Sequence, residues 1–116
     1  MKEIQLTATF KIHPGKLDEF KTIAGACVAA VEKNEKGKGA LQYDWFLSPD
    51  NSVCIVLETY TDSNAVLAHM GNVGEMLGQL LGMSDFELEI FGNPSEELQK
   101  AGAALNPKVY SFYQGL

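Results

Sequence analysis

Apolar and polar side chains alternate in four stretches of the chain, and a period of two is typical of half-buried strands. These stretches are residues 3–12, 40–47, 52–61 and 86–91. The second and third are joined by Ser48-Pro49-Asp50-Asn51, a turn sequence, and are therefore predicted to form a hairpin. A short apolar stretch, residues 108–113, predicts a last strand near the C-terminus.

Two longer segments repeat their apolar residues every three or four positions, which is typical of amphipathic helices. The first begins near Lys16 and ends in the sequence EKNEKGKG, residues 32–39, which we interpret as a solvated connection. The second follows Asp62, a favourable N-cap residue, and carries His69. We expect Gly71-Asn72 to break or bend this second helix.

Glycines recur at every fourth residue in the second half of that helix, at Gly74, Gly78 and Gly82. Each costs about 1 kcal/mol of helix stability relative to alanine, so we expect another backbone to approach closely there. A short third helix is predicted to extend to about Leu105, with Asn93 as its cap and Pro94 as its first residue.

The element order β-α-β-β-α-β, followed by a helix and a short strand, predicts an α+β fold of the ferredoxin-like kind. Its core is a four-stranded antiparallel sheet with two helices on one face. We interpret residues 1–116 as a single domain, with its core at about 3–92 and a C-terminal extension at 93–116.

Two helices cover only one face of such a sheet, so the other face needs a partner if it is partly apolar. Depending on strand phase, the uncovered face is expected to carry these residues of the hairpin: Cys54, Val56, Tyr60 and neighbours of Tyr43 or Trp45. The simplest partner is a second copy of the chain. We therefore predict a homodimer, in which the last strand, residues 108–113, reaches the other subunit.

Composition excludes several classes of function. With 9 Lys and Arg against 15 Asp and Glu, the formal net charge is −6, which disfavours binding to nucleic acid or to an anionic membrane. We find no signal-peptide pattern and no apolar run of about 20 residues. Cys27 and Cys54 lie far apart, each within an apolar pattern, so we expect buried, reduced thiols in a cytoplasmic protein.

The aromatic hairpin and the segment after it carry a family resemblance. The strand Y-x-W-F from Tyr43, the turn S-P-D-N, and I-V-L-E-T-Y-T-D followed by A-x-x-x-H resemble the antibiotic biosynthesis monooxygenase (ABM) domain, of the dimeric α+β-barrel superfamily, over roughly residues 3–92. The matching positions are Tyr43, Trp45, Asp50, Glu58, Tyr60, Asp62, Ala65 and His69.

The resemblance implies several activities: cofactor-independent oxidation of phenols and quinols, haem degradation, or isomerisation of a phosphorylated sugar. By the same resemblance, a haem-degrading member would carry an Asn on the first strand, a Trp on the second helix and a His further along that helix. In this chain the first strand has Thr7 and Thr9 in place of the Asn. His69 stands at about the place of the Trp and Gln79 at about that of the His, so haem degradation is not expected.

A cofactor-free oxygenase needs a base near neutrality, a dry aromatic pocket and donors for the developing oxyanion. His69 has a suitable intrinsic pKa and is the candidate base. The candidate substrate contacts are Tyr43, Trp45, Glu58 and Tyr60, which would line the pocket around a small aromatic substrate. Glu58 or Asp44 would orient the imidazole.

Other interpretations stay open. His69 is equally interpreted as a structural residue, and Tyr43 and Trp45 as core or dimer-interface residues. The alternative functions are an isomerase of a small phosphorylated hydroxy-ketone and a non-catalytic dimer that binds a small ligand. The sequence has no G-x-G-x-x-G, Walker loop, H-E-x-x-H or C-x-x-C, so we predict no flavin, nicotinamide or metal cofactor.

Overall fold

The structure is a computed structural model that describes residues 2–116. Five strands and three α-helices follow one another along the chain. They are β1 (Ile4–Ile12), α1 (Leu17–Asn34), β2 (Ala40–Leu47), β3 (Val53–Tyr60), α2 (Ser63–Leu81), β4 (Ser84–Phe91), α3 (Glu96–Gly102) and β5 (Lys108–Tyr110), with a 3-10 turn at Ala103–Leu105 after α3. The predicted order of elements is confirmed.

All five strands form one sheet in the order β2-β3-β1-β4-β5. The first four strands pair antiparallel, as predicted for a ferredoxin-like α+β fold, and β5 pairs parallel to β4, which makes the sheet mixed. In the centre of the sheet, Leu6 of β1 lies between Glu58 of β3 and Ile90 of β4. Side chains at these register positions share one face, which α1 and α2 cover.

The prediction that Cys54, Val56 and Tyr60 of β3 lie on the uncovered face of the sheet is wrong. Cys54, Val56 and Tyr60 are buried beneath the helices, not on the uncovered face. They stand opposite the buried residues of β1, so the register of the ladder fixes them on the helix side. Ile55 and Leu57 instead lie on the open face of the sheet, and each is 37% exposed.

Helix α2 is continuous from Ser63 to Leu81, so the predicted break at Gly71-Asn72 is wrong. The Asn72 side chain instead links the two long helices, because its amide donates a hydrogen bond of 3.0 Å to the carbonyl of Ala30 in α1. This contact across the helix pair explains why a residue with a preference for turns is accommodated inside a helix.

The predicted close approach at the α2 glycines is also wrong. A Cβ atom at Gly74 or Gly78 would meet nothing within 4 Å, and one at Gly82 would meet only carbonyl oxygens of its own last turn. The close approach occurs at Gly39, before β2, where a Cβ would lie 2.7 Å from the Cβ of Ala65. Gly39 also has a φ of +135°, which favours glycine.

The C-terminal elements are displaced or shortened relative to the prediction. The cap of α3 is Ser95, whose side chain accepts a hydrogen bond from the Leu98 N–H, so Asn93 and Pro94 precede the helix. Strand β5 ends at Tyr110, where Gly92 N–H donates to the Tyr110 carbonyl just beyond β4. Because β4 ends there, residues 111–113 have no strand to pair with.

Cys27 and Cys54 are both free and buried, as predicted. Within residues 2–116, no helix combines the length and the apolar character needed to cross a membrane.

Candidate active site

A cavity of about 60 Å³ lies between the covered face of the sheet and the helices, and the C-terminal extension completes its wall. Most of its lining is aliphatic or aromatic. The polar or titratable groups among the lining residues are Cys27, Tyr43, Trp45, Glu58 and His69. Such a combination of apolar wall and a few convergent polar groups is typical of small-molecule sites.

His69 lies on the inner side of α2. The helix is fixed at its start by Asp62, whose carboxylate accepts a hydrogen bond of 2.8 Å from the Ala65 N–H. Two turns further on, the imidazole is buried against the sheet. Burial lowers the pKa of His69, and the nearby Glu35 opposes this shift only in part. His69 is therefore neutral at pH 7 and carries one nitrogen lone pair.

Glu35 lies on the far side of the imidazole from the cavity. Its two carboxylate oxygens are each 3.0 Å from Nδ1 of His69, and its side chain is buried. The Asn72 amide donates a hydrogen bond of 2.7 Å to Oε2 of the same carboxylate. The Glu35 carbonyl accepts from the Lys38 N–H in the turn after α1, so main chain and side chain are both held.

The sequence interpretation missed Glu35, because it treated residues 32–39 as solvated. One signal was present: Glu35 continues the buried stripe of α1 four residues after Val31. A carboxylate at a stripe position needs a buried partner. The partner is His69, which lies 34 residues further along the chain.

Glu58 faces the other imidazole nitrogen from β3. Its Oε1 lies 3.4 Å from Nε2 of His69 and accepts a hydrogen bond of 2.6 Å from the Tyr60 hydroxyl. Burial raises the pKa of Glu58 to about 7; the Tyr60 hydrogen bond opposes this shift, and the charge of Glu35 adds to it. The site therefore holds a neutral base next to a carboxyl group that changes its protonation state near neutrality.

The predicted site residues are placed as follows. His69, Tyr43, Trp45 and Glu58 meet on the cavity wall, and the Tyr43 and His69 rings lie 5.1 Å apart between centroids. Tyr60 lies behind Glu58 and does not line the cavity.

Asp44 is exposed on the opposite face of the sheet, where it accepts a hydrogen bond from Gln42. Its predicted contact with the imidazole is therefore wrong. Asp44 stands next to Tyr43, which faces the cavity, and successive side chains of a strand point to opposite faces.

Two further polar groups border the cavity. The indole N–H of Trp45 is buried and has no hydrogen-bond acceptor among the residues that the structure describes. Burial, together with the charge of Glu58, raises the pKa of the Tyr43 hydroxyl, so Tyr43 remains a neutral donor. In the described part of the chain, no cluster of three or more His, Cys, Asp or Glu side chains is arranged to hold a metal ion.

Comparison with known proteins gives one family and several similar structures. The family described as antibiotic biosynthesis monooxygenase matches residues 4–74. No curated protein sequence gives a significant match. A candidate antibiotic biosynthesis monooxygenase from Caulobacter crescentus CB15 is 30% identical over 77% of this chain and 87% of its own, with a TM-score of 0.67.

Two further structures are similar in fold at lower identity. MupZ from Pseudomonas fluorescens is 22% identical, with a TM-score of 0.80 over 100% of this chain and 94% of its own, and therefore also covers the C-terminal extension. SnoaB from Streptomyces nogalater, a cofactor-independent oxygenase, is 17% identical, with a TM-score of 0.67 over 82% of this chain and 96% of its own.

Proposed function

Since this chain belongs to the antibiotic biosynthesis monooxygenase family, we propose that it is a cofactor-independent monooxygenase that oxidises a small phenol or quinol with O₂. The observation that carries the proposal is the buried, neutral imidazole of His69 on the wall of an apolar cavity. One structural neighbour, SnoaB, is itself described as a cofactor-independent oxygenase.

The proposed reaction begins with a proton transfer. Nε2 of His69 accepts the proton of a phenolic hydroxyl, and the resulting anion gives one electron to O₂. The two radicals combine as a peroxide on a ring carbon, and loss of water leaves a new carbonyl. A hydroquinone and O₂ thus give a hydroxyquinone and water. All electrons come from the substrate, so the balance needs no external reductant.

The other polar groups of the cavity are hydrogen-bond donors that can stabilise the developing oxyanion of the substrate. Trp45 offers a buried N–H that has no acceptor among the described residues, and Tyr43 offers a neutral hydroxyl beside the imidazole. Fixed donors in a dry site stabilise negative charge more than they would in water. We propose both residues as substrate contacts, with Tyr60 acting through its hydrogen bond to Glu58.

The charge of the cavity favours an uncharged substrate. Glu58 lines the cavity, Glu35 lies directly behind His69, and no Lys or Arg is among the lining residues. A phosphate group would therefore meet no positive charge there. This argues against the phosphorylated hydroxy-ketone of the alternative function.

An isomerase of an uncharged substrate remains the second candidate. The observation that favours it is the adjacent pair of His69 and Glu58, which could remove a proton and return it.

The cavity must enlarge when an aromatic substrate binds. Its volume of about 60 Å³ is less than half that of an engineered apolar cavity that binds benzene, which measures about 150 Å³. Gly102 and Leu105, which belong to the C-terminal extension, form part of the wall. We propose that this segment moves outward to admit the substrate.

We also propose that the protein is a homodimer that associates through the open face of the sheet. That face carries Phe46, Ile55 and Leu57, which are partly exposed apolar residues. Beyond β5, Phe112 and Tyr113 are exposed as well and are suited to reach the second subunit. A cytoplasmic location is supported by the two free thiols, which a reducing compartment preserves.

Oxygen uptake tests the proposed reaction. Metal-stripped protein is mixed with a panel of hydroquinones and polyphenols, and O₂ consumption is followed together with deuterium incorporation from D₂O. The expected result is uptake by the unmodified protein, and its loss in His69→Ala but not in His13→Ala, which changes an exposed histidine. Deuterium exchange without O₂ uptake would indicate the isomerase, and neither signal would indicate a non-catalytic ligand binder.

A further inference from the structure

We propose that Glu35 is a positioning residue that holds His69 in one tautomer, with the proton on Nδ1 and the lone pair on Nε2. This inference rests on the proposed function, because it explains how His69 presents its basic nitrogen to a substrate. Nδ1 faces Glu35, which does not line the cavity, whereas Nε2 faces Glu58, which does.

The hydrogen bonds around Asn72 fix the direction of the interaction. The side-chain nitrogen of Asn72 lies 3.0 Å from the carbonyl oxygen of Ala30, which can only accept a hydrogen bond. The side-chain oxygen of Asn72 accepts from the Asn34 amide at 2.9 Å. Asn72 is therefore oriented as a donor, and the same nitrogen donates to Oε2 of Glu35 at 2.7 Å.

A carboxylate at position 35 presents an acceptor oxygen to each of two donors, whereas an amide presents one acceptor oxygen and one N–H donor group. Asn72 donates to Glu35, and Nδ1 of His69 is equally close to both carboxylate oxygens. Glutamine has a single acceptor oxygen. With that oxygen at the place of Oε2, where Asn72 donates, the amide nitrogen stands at the place of Oε1, 3.0 Å from Nδ1 of His69. The imidazole would then have to accept at Nδ1 and carry its proton on Nε2.

A carboxylate placed only for stability would be a costly choice, because a buried charge loses its hydration. Glu35 also lies close enough to Glu58 to contribute to the raised pKa of that group. The titratable groups that face His69 are Glu35 from the end of α1, Glu58 and Tyr60 from β3, and Tyr43 from β2. Of these, only Glu35 contacts Nδ1 within hydrogen-bond distance.

The experiment compares Glu35→Gln with the unmodified chain by ¹⁵N NMR of the imidazoles, and measures kcat and KM for oxygen uptake in parallel. The chain has only two histidines, so the assignment is simple. Asp85→Asn is the matched control, because Asp85 lies 3.1 Å from Nε2 of the exposed His13. Glu35→Asp, which keeps the carboxylate, is the rescue variant.

We expect the unmodified protein to show His69 protonated on Nδ1, and Glu35→Gln to move the proton to Nε2. The variant should lose about 10²–10⁴-fold in kcat, the usual contribution of a general base, with little change in KM. Glu35→Asp should restore the Nδ1–H tautomer and part of the rate, and Asp85→Asn should leave His69 unchanged.

An unchanged tautomer in Glu35→Gln would overturn the proposal, as would an inverted tautomer with undiminished turnover. If Glu35→Gln does not fold, an unmodified protein with the proton of His69 on Nε2 would refute the proposal, and one with the proton on Nδ1 together with rescue by Glu35→Asp would support it. An inverted tautomer in a protein that never consumes O₂ would contradict the proposed function and leave the hydrogen-bond assignment intact.

Discussion

Nε2 of His69 lies 3.4 Å from Oε1 of Glu58, at the point where helix α2 meets the central sheet. Burial lowers the pKa of the imidazole and raises that of the carboxyl group to about 7, so near neutrality an uncharged imidazole lies next to a carboxyl group that is partly protonated. A proton can then be exchanged between them, or with a bound substrate, without leaving an isolated charge in the core.

Glu58 makes the stability of the fold depend on pH in a direction that can be tested. Its folded pKa of about 7 lies above the ordinary value of 4.5, so its favourable contribution is complete below pH 4.5 and is lost as the pH rises through 7. The size of this loss is about 3 kcal/mol at most. We predict that Glu58→Gln removes it, so that urea unfolding between pH 5 and 8 gives a flatter profile for the variant.

His69 makes the stability depend on pH in the opposite sense to Glu58, because folding lowers the pKa of His69. Its contribution is present above its ordinary pKa of 6.5 and is lost as the pH falls through the lower folded value. The difference between the unmodified chain and Glu58→Gln isolates the Glu58 contribution. Parallel profiles for the two proteins would show that Glu58 is not held in the neutral form.

Trp45 is predicted to contribute to catalysis through its indole N–H, and that N–H is not predicted to contribute to the stability of the fold. Trp45→Phe removes an indole N–H that is buried without an acceptor among residues 2–116, so the loss of that donor has no hydrogen-bond cost in the free protein. We expect kcat/KM for oxygen uptake to fall about 10–100-fold, since a fixed donor to an oxyanion contributes at least this much. Unaltered kinetics together with a large loss of thermal stability would identify Trp45 as a core residue only.

Gly39 fixes the path of the chain from Glu35 into β2. Gly39→Ala would bring a Cβ within 2.7 Å of Ala65 and would strain a residue with a φ of +135°. We predict destabilisation by about 1–3 kcal/mol in urea unfolding. Gly74→Ala is the matched control: its Cβ meets nothing within 4 Å in the middle of α2, and it should stabilise the protein by up to about 1 kcal/mol. Equal effects of both variants would contradict this assignment.

Leu57 tests the proposed dimer. It lies on the open face of the sheet and is 37% exposed, and a lysine there would place a charge in the interface. Sedimentation analysis should show a dimer for the unmodified chain and a monomer for Leu57→Lys. Val28→Lys makes the same change at a residue of α1 that is 39% exposed, and should leave the dimer intact. A monomeric unmodified protein, or a dimer that survives Leu57→Lys, would refute the open face as the interface.

The order of strands and helices was predictable because the signals for each element lie within its own stretch of sequence. Period-two alternation identified all four main strands, and the cap at Asp62 identified the start of α2. The face of β3 was not predictable in the same way: Cys54 and Val56 alternate with Ile55, so both faces are apolar. Only the ladder with β1 decides which of them the helices cover.

The site was only partly predictable, since its contacts join distant segments. His69, Tyr43, Trp45 and Glu58 were found from a family resemblance and do line one cavity. Glu35 was missed, because its neighbours in sequence are lysines and glycines and its partners lie on α2. The one local sign of its burial was its position four residues after Val31 on the buried stripe of α1, and the surrounding lysines and glycines outweighed it.

The central claim is that His69 deprotonates a bound phenol, and anaerobic mixing tests it most directly, because without O₂ the reaction stops after proton transfer. A hydroquinone is mixed with protein below the pKa of the free substrate, and the absorbance of the anion is recorded. We predict that the anion band appears with the unmodified protein and with His13→Ala, and that it is missing with His69→Ala. A band of equal size with His69→Ala, or a bound substrate that stays neutral in the unmodified protein, would contradict the account.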